Sequence, residues 1–492
     1  MLFNSFPFLI LFLATSVIYY IPIFRQLQVI ILVCSSLIFY SYDSPLLLVL
    51  LLVSIFINTI ISYKIADGSN SKQIRWAVTG IALNLSILIL FKYAALITNL
   101  FIKLLPESNN SAAGVVTMFL HLPLPIGISF YTFEGISLLV DVLRDTADRK
   151  QSSFIKRGLP QHFLKSSLFI AFFPHLIAGP ILKASNFYPQ IKAKYFKDIN
   201  WDIVFRSLTV GYFLKMVVAD NLKDYTFWIA FPYYQTLSTL TCIVLLLGYS
   251  MQIFADFAGY SLIAVGLASV LGYELPQNFN FPYISRSITE FWRRWHISLS
   301  NWLRDYLYIS LGGNRKGELR TYANLMIVML LGGLWHGASW NYAIWGSFHG
   351  IALVLERFFS NKIDVKLHTN GNRWYQFVLD TLNILVVFCF VSIGWLFFKL
   401  SDIGQVFNFV NTMIRNVNLP NNNSYIEFVL LFSSPIIVYH LIHLPCMNIL
   451  TTKQMSKYEN SWKFCKNTAL GVMIVMIILN SGNSSGFIYF QF

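Results

Sequence analysis

Hydrophobic and polar positions along this chain fall into long apolar blocks separated by short charged ones. Apolar runs occupy residues 6–24, 29–40, 45–62, 76–101, 123–143, 166–182, 203–219, 237–271, 322–356, 377–398, 426–448 and 468–480. A helix needs about 20 apolar residues to cross the hydrocarbon core of a bilayer. Several runs are too long or too short for one crossing, so tilted or broken helices are expected. The pattern predicts an all-α polytopic membrane protein with about 10–12 membrane helices and re-entrant segments. No long soluble block interrupts it, so residues 1–492 read as a single integral membrane domain.

Two runs should double back. The first contains FFPHLIAGP, where Pro174, Gly179 and Pro180 break a helix. Arg144, Arg149, Lys150, Lys156, Arg157 and Lys165 precede it; Lys183, Lys192, Lys194, Lys197 and Arg206 follow. Cytoplasmic loops collect Lys and Arg, so both flanks belong on one side. Irregular backbone at membrane depth is tolerated inside protein or beside a water cavity, so residues 172–180 are expected to line something. The second run, 322–356, lies between Arg315, Lys316 and Arg320 on one flank and Arg357, Lys362 and Lys366 on the other. Its bend should fall near LGGLWHGASW, residues 331–340, which places His336 inside the protein.

Composition removes whole classes of function. Of 492 residues, 56% are hydrophobic and 12% charged, against about 25% charged in soluble domains. With a mean hydropathy of +0.59, an ordinary soluble enzyme, a disordered regulator and a nucleic-acid-binding domain are excluded. The net charge of +14 then reads as basic cytoplasmic loops facing anionic headgroups, and the lipid bilayer, not nucleic acid, is the expected partner. Cys34, Cys242, Cys389, Cys446 and Cys465 have no disulfide or zinc spacing. The first 24 residues carry no basic n-region and are kept as a membrane segment.

His336 is the sharpest candidate for chemistry. It stands between Trp335 and Gly337 with Gly332 and Gly333 nearby, in a strongly apolar run. An ionisable residue there is a functional hypothesis by default, with a packing histidine as the equal alternative, and the glycines allow close approach of a chain or ligand. His349 and Glu356 are two helical turns apart on one face, more simply in structural hydrogen bonds than a polar cavity lining. Residues 288–316 read as an interfacial amphipathic helix: Trp292, Trp295, Leu299, Trp302, Leu303 and Tyr306 share a stripe with His296 at its border. Arg293, Arg294, Asn301, Arg304 and Asp305 lie away from it, and the arginines could hold an anion such as the phosphates of coenzyme A. Glu134, Asp141 and Asp256 could couple ions or sit in structural networks. His440 and His443 lack a third ligand nearby, so no metal is expected. No Walker A, HExxH or GxSxG motif is present.

FWRRWHISLSNWLRDYLYISLGGNR and LGGLWHGASWNYAIWGSFHG resemble the signature blocks of the membrane-bound O-acyltransferases, in their polysaccharide-acetylating branch. MLFNSFPFL, PIGISFYTFEGISLLVDVLR, FFPHLIAGPI, FADFAGYSLIAVGLASVLGYELPQNFNFPY and the terminal FIYFQF are similar to the same branch, so the resemblance runs over nearly the whole chain. It implies a ring of helices around a central tunnel, with His336 as catalytic histidine and His296 as the second signature histidine. The donor would be acetyl-CoA or another acyl thioester, with no permanently bound cofactor; Arg293, Arg294, Trp335 and Asn341 are expected around it. His336 would act as general base, and tryptophan indoles, Asn341 or backbone amides would bind the oxyanion. The resemblance further implies residence in the inner membrane and a separate extracytoplasmic acetyltransferase partner that modifies an alginate-type or peptidoglycan polymer, the polysaccharide being an indirect acceptor. The rival readings are a secondary transporter using Glu134, Asp141 and Asp256, and an acyltransferase acting on lipid or protein.

Overall fold

The computed structural model describes residues 1–42, 45–98, 125–149, 155, 158–177, 179–362, 373–444, 459–482 and 486. Lys150, Lys156, Arg157, Lys366, Cys446 and the terminal FIYFQF therefore lie outside the described residues. Those described are helical with no strand. Seven helical stretches are long and apolar enough to cross a membrane: Pro22–Ser41, Pro45–Asp67, Ser71–Thr98, Thr239–Val270, Trp374–Lys399, Asn423–Leu441 and Asn460–Leu479. This is a multi-pass all-α membrane protein. Its residues gather into two compact units, Met1–Val204 with Ala264–Pro276, and Phe205–Ile263 with Gln277–Phe492.

The first unit contains α1 (Phe6–Tyr20), α2 (Gln28–Ser41), α3 (Pro45–Asp67), α4 (Asn70–Leu88), α5 (Ile128–Arg149) and α6 (Leu159–Ala171). In lipid, apolar side chains give helices little reason to associate, and small or hydrogen-bonding residues take over. Helix α3 does this with Ser54, Asn58, Thr59 and Ser62, all buried on one face. Asn58 and Asn84 of α4 exchange amide hydrogen bonds of 3.1 and 2.8 Å. Ser62 reaches a ring nitrogen of His162 on α6 at 2.7 Å. After α6 the helix stops as Pro174, Gly179 and Pro180 demand, and Phe172, Phe173, His175 and Leu176 are fully buried. This stretch is enclosed by protein and lines neither of the cavities described below; its His175 Nε2 meets the carboxylate of Glu134 on α5.

The second unit contains α7, a short helix Asp220–Thr226, most of α8 (Thr239–Val270), and α9 (Ile288–Arg294), α10 (Ile297–Trp302), α11 (Glu318–His336), α12 (Trp340–Lys362), α13 (Arg373–Lys399), α14 (Ile403–Arg415), α15 (Asn423–Leu441) and α16 (Glu459–Leu479); here α7 denotes Trp201–Tyr212, whose last turns belong to this unit. Helix α8, at 32 residues, is about 48 Å long, which exceeds the hydrocarbon thickness and requires tilt or overhang.

Helices α11 and α12 form the expected hairpin, joined by residues 337–339. Two glycines set its closeness. A Cβ on Gly333 would stand 2.2 Å from the Tyr342 carbonyl oxygen, and one on Gly346 would stand 2.3 Å from that of Met329. Both obstacles are backbone, so neither can rotate away. Gly346→Ala is expected to cost about 1–3 kcal/mol through overpacking, read as a lower unfolding midpoint of the purified protein. An unchanged midpoint would mean the two helices are not in backbone contact.

Candidate active site

The site is built on that hairpin and on the broken segment before it. Helix α9 starts with two caps. Ser287 Oγ accepts the Glu290 N–H at 3.0 Å. Glu356, from α12, accepts the N–H of Ile288 at 2.6 Å and of Thr289 at 3.2 Å, placing a carboxylate at the positive end of a helix. For Glu356 both readings hold: it makes structural hydrogen bonds as this cap and it also lines the cavity described below. His349 is fully buried among Phe291, Trp292, Trp345 and Phe390.

The continuous amphipathic helix expected over 288–316 is not formed. Helix α9 ends at Arg294, Trp295 is extended, and His296 takes a left-handed conformation with φ 43° before α10 begins. The aromatic stripe survives the break, but Trp295, Leu299 and Trp302 are buried within protein and not laid against headgroups. Asn278 holds the kink. Its Oδ1 accepts from Ser298 N–H at 3.2 Å and Ser298 Oγ at 2.9 Å, and lies 3.1 Å from His296 Nδ1. Its Nδ2 donates to Ser261 Oγ at 3.1 Å. With the amide oriented this way, His296 Nδ1 carries its proton toward Asn278.

His336 is the last residue of α11 and is buried. Its ring lies 5.0 Å from Trp335, 5.2 Å from Trp345 and 5.2 Å from Phe398, centroid to centroid. Trp335 also stands 5.9 Å from His296, so this indole packs against both histidines. Against His336 opens a cavity of about 690 Å³, walled also by Gly332, Trp345, Trp292, Arg293, Arg304, Glu356 and Arg357. From Trp345 to Ser360, both on its wall, helix α12 rises about 22 Å. The histidine thus lies at one end and Arg357 toward the other, the end where the basic flanks of α11 and α12 meet. Arg357 Nε is buried with no hydrogen-bond partner among the described residues.

Of the residues expected at the site, His336 and Arg293 line the cavity and Trp335 backs His336. His296 touches Trp335 and is off the wall. Arg294 is off the wall, paired with Glu290 at 2.7 Å. Asn341 donates to the Leu400 carbonyl at 2.8 Å and is likewise off the wall. Arg304, read from the sequence as one of the arginines able to hold an anion, also lines the cavity. Arg357 and Ser360, near the end of α12, were not singled out for it: only the fold brings them to the same wall as Arg293 and Arg304. The carboxylates of the transporter reading are partnered and dispersed. Glu134 meets His175, Asp141 accepts the Ser185 N–H at 2.9 Å, and Asp256 pairs with Lys215 at 2.7 Å. His440 Nδ1 lies 2.9 Å from the Ile436 carbonyl and His443 stacks on Phe281, so each has a packing role.

The sequence profile of the membrane-bound O-acyltransferases matches residues 34–398, which include every residue of this cavity. The chain belongs to the membrane-bound O-acyltransferase family. It is an O-acyltransferase. The chain is 37% identical to a Pseudomonas aeruginosa protein named "Probable alginate O-acetylase AlgI", over 82% of this chain and 73% of that one. It is 32% identical to the Helicobacter pylori peptidoglycan O-acetyltransferase, over 100% of this chain and 98% of the relative. The Bacillus subtilis teichoic acid D-alanyltransferase is 30% identical, over 56% of this chain and 68% of the relative. The family match ends at Phe398, one of the rings against His336, so α14, α15 and α16 lie beyond the matched O-acyltransferase region.

Proposed function

We propose that this inner-membrane protein moves acetyl groups from a cytoplasmic thioester, acetyl-CoA or an equivalent acyl carrier, to a hydroxyl acceptor. The acetyl groups serve O-acetylation of an extracytoplasmic polysaccharide of the alginate or peptidoglycan type. The observation that carries this is one continuous cavity with His336 at one end and Arg293, Arg304 and Arg357 on its walls. Guanidinium groups suit the phosphates of a coenzyme A donor, and the largely apolar lining around His336 disfavours water at the thioester.

In the reaction, His336 takes the proton of the attacking hydroxyl. The hydroxyl oxygen bonds to the acyl carbonyl carbon, the carbon–sulfur bond breaks, and the imidazolium returns its proton to the departing thiolate. Trp292 and Trp345 line the cavity and carry buried indole N–H groups with no acceptor among the described residues; they are available to the developing oxyanion. A polymer does not reach a histidine buried at the end of a cavity of about 690 Å³, so a separate extracytoplasmic acetyltransferase receives the acetyl group and completes the transfer.

Ester-linked acetate in fractionated envelope and exported glycans tests this. A strain lacking the protein should lose acetate from one glycan fraction and regain it when the wild type is restored. Acetate lost instead from lipid or protein would overturn the polysaccharide assignment. Replacing Arg357 with Gln should raise KM for the thioester donor about tenfold, the size of one charged hydrogen bond, with kcat little changed. An unaltered KM would remove Arg357 from the donor site.

A further inference from the structure

A second cleft, of about 210 Å³, lies in the first unit where the end of α1 meets residues 194–197; its walls include Tyr20, Arg25, Gln28, Lys194, Tyr195 and Lys197. Its frame is fixed by Gln28. The Gln28 amide donates to the carbonyls of Tyr19 at 3.1 Å and Lys194 at 3.0 Å and accepts the Lys194 N–H at 2.9 Å. Tyr20 is tied by its hydroxyl to the Val270 carbonyl at 2.6 Å. Three cationic residues, Arg25, Lys194 and Lys197, line this cleft. Arg25 lies 4.7 Å and Lys197 5.9 Å from the Tyr195 ring centre, and Lys194 lies 4.6 Å from that of Tyr273.

None of these cations has an ion pair with a carboxylate among the described residues. Burial and the neighbouring Lys192 hold the Lys194 ammonium below its usual range, and Glu274 offsets only part of this. The three like charges line one cleft, with Glu274 acting on Lys194 and Asp198 on Tyr20 as the neighbouring carboxylates, and the excess of positive charge favours an anion there. The rim is apolar: Ile23 is 80% exposed, Phe196 58% and Trp201 50%, and Phe196 and Trp201 are in edge contact at 5.4 Å. A basic cleft beside exposed aliphatic and aromatic side chains matches the headgroup and upper acyl region of a bilayer.

We propose that this cleft binds the phosphate of an anionic phospholipid, with Arg25, Lys194 and Lys197 around the phosphate and Ile23, Phe196 and Trp201 against the acyl chains. The site is separate from acyl transfer and gives the first unit a specific lipid contact.

The test is thermal unfolding of the purified full-length protein in detergent with added phosphatidylglycerol, phosphatidylcholine or inorganic phosphate. Phosphatidylglycerol should raise the midpoint and phosphatidylcholine should not. The R25Q/K194Q variant should need on the order of 30-fold more phosphatidylglycerol for the same shift. The K72Q/R75Q variant removes the same charge from exposed positions on α4 and should respond as wild type. Should R25Q/K194Q fail to fold, the exposed Lys197→Gln alone should weaken the response about fivefold. Equal responses to the two lipids, or equal losses in the two double variants, would overturn the site as bulk electrostatics. An equal shift with inorganic phosphate would keep the anion site and overturn its assignment to lipid.

Discussion

Replacing His336 with Ala, at matched membrane abundance, is expected to cut acyl transfer by about 10²–10⁴-fold, the range of a positioned general base. The side chain ends α11 inside the hairpin, faces the large cavity and is walled by Trp335, Trp345 and Phe398. Its removal leaves the hairpin contacts at Gly333 and Gly346 untouched, so the variant should fold. The loss should fall on kcat, since the proton transfer is made only in the transition state. His336→Gln keeps a hydrogen-bonding side chain but cannot serve as base, and should be nearly as inactive. If either variant retained full turnover, the histidine would be a packing residue and the proton would have to leave by another route.

Lys215→Met should have the largest effect on folding. Lys215 is buried in the second unit, with its ammonium 2.8 Å from Asp220 and 2.7 Å from Asp256. It lies 5.5 Å from the Tyr260 ring centre. Close helix approach confines it: a Cβ on Gly259 would meet the Lys215 backbone nitrogen at 3.0 Å. Removing the cation leaves two carboxylates facing each other away from water, and breaking a buried pair in this way costs about 3–5 kcal/mol. The expected readout is a collapse in membrane abundance and in the unfolding midpoint. The K215M/D220N/D256N variant, which removes the stranded charges, should recover most of the loss. A K215M protein as stable as wild type would show that these charges are compensated elsewhere.

How far the sequence foretold this molecule depends on the kind of signal. The bend of the 322–356 run was legible because basic residues on both flanks and a glycine-rich centre leave a helical hairpin little alternative. The break at His296 was not legible. Residues 288–308 keep a helical apolar period on both sides of it, and the left-handed residue is a histidine between Trp295 and Ile297, with no glycine to mark it. The helix breakers in 172–180 were plain, yet the partner of His175 was not, since Glu134 lies on a separate helix and only packing joins them. The polar face of α3 was hidden for a similar reason. Ser54, Asn58, Thr59 and Ser62 scarcely interrupt an apolar run, and their importance comes from facing Asn84 and His162. At the candidate site, the apolar glycine-flanked context of His336 and the polar side of the 288–308 stripe pointed to His336, Arg293 and Arg304. Arg357 needed the fold to bring it to the same cavity.

The most direct measurement uses inside-out membrane vesicles given radiolabelled acetyl-CoA on their exposed cytoplasmic face, with the extracytoplasmic partner and glycan retained inside. The account predicts alkali-labile label in the enclosed glycan, released coenzyme A thiol in step with it, and loss of both in His336→Ala vesicles. Label reaching the glycan equally well without His336, or thiol release with no acetyl ester formed, would contradict it.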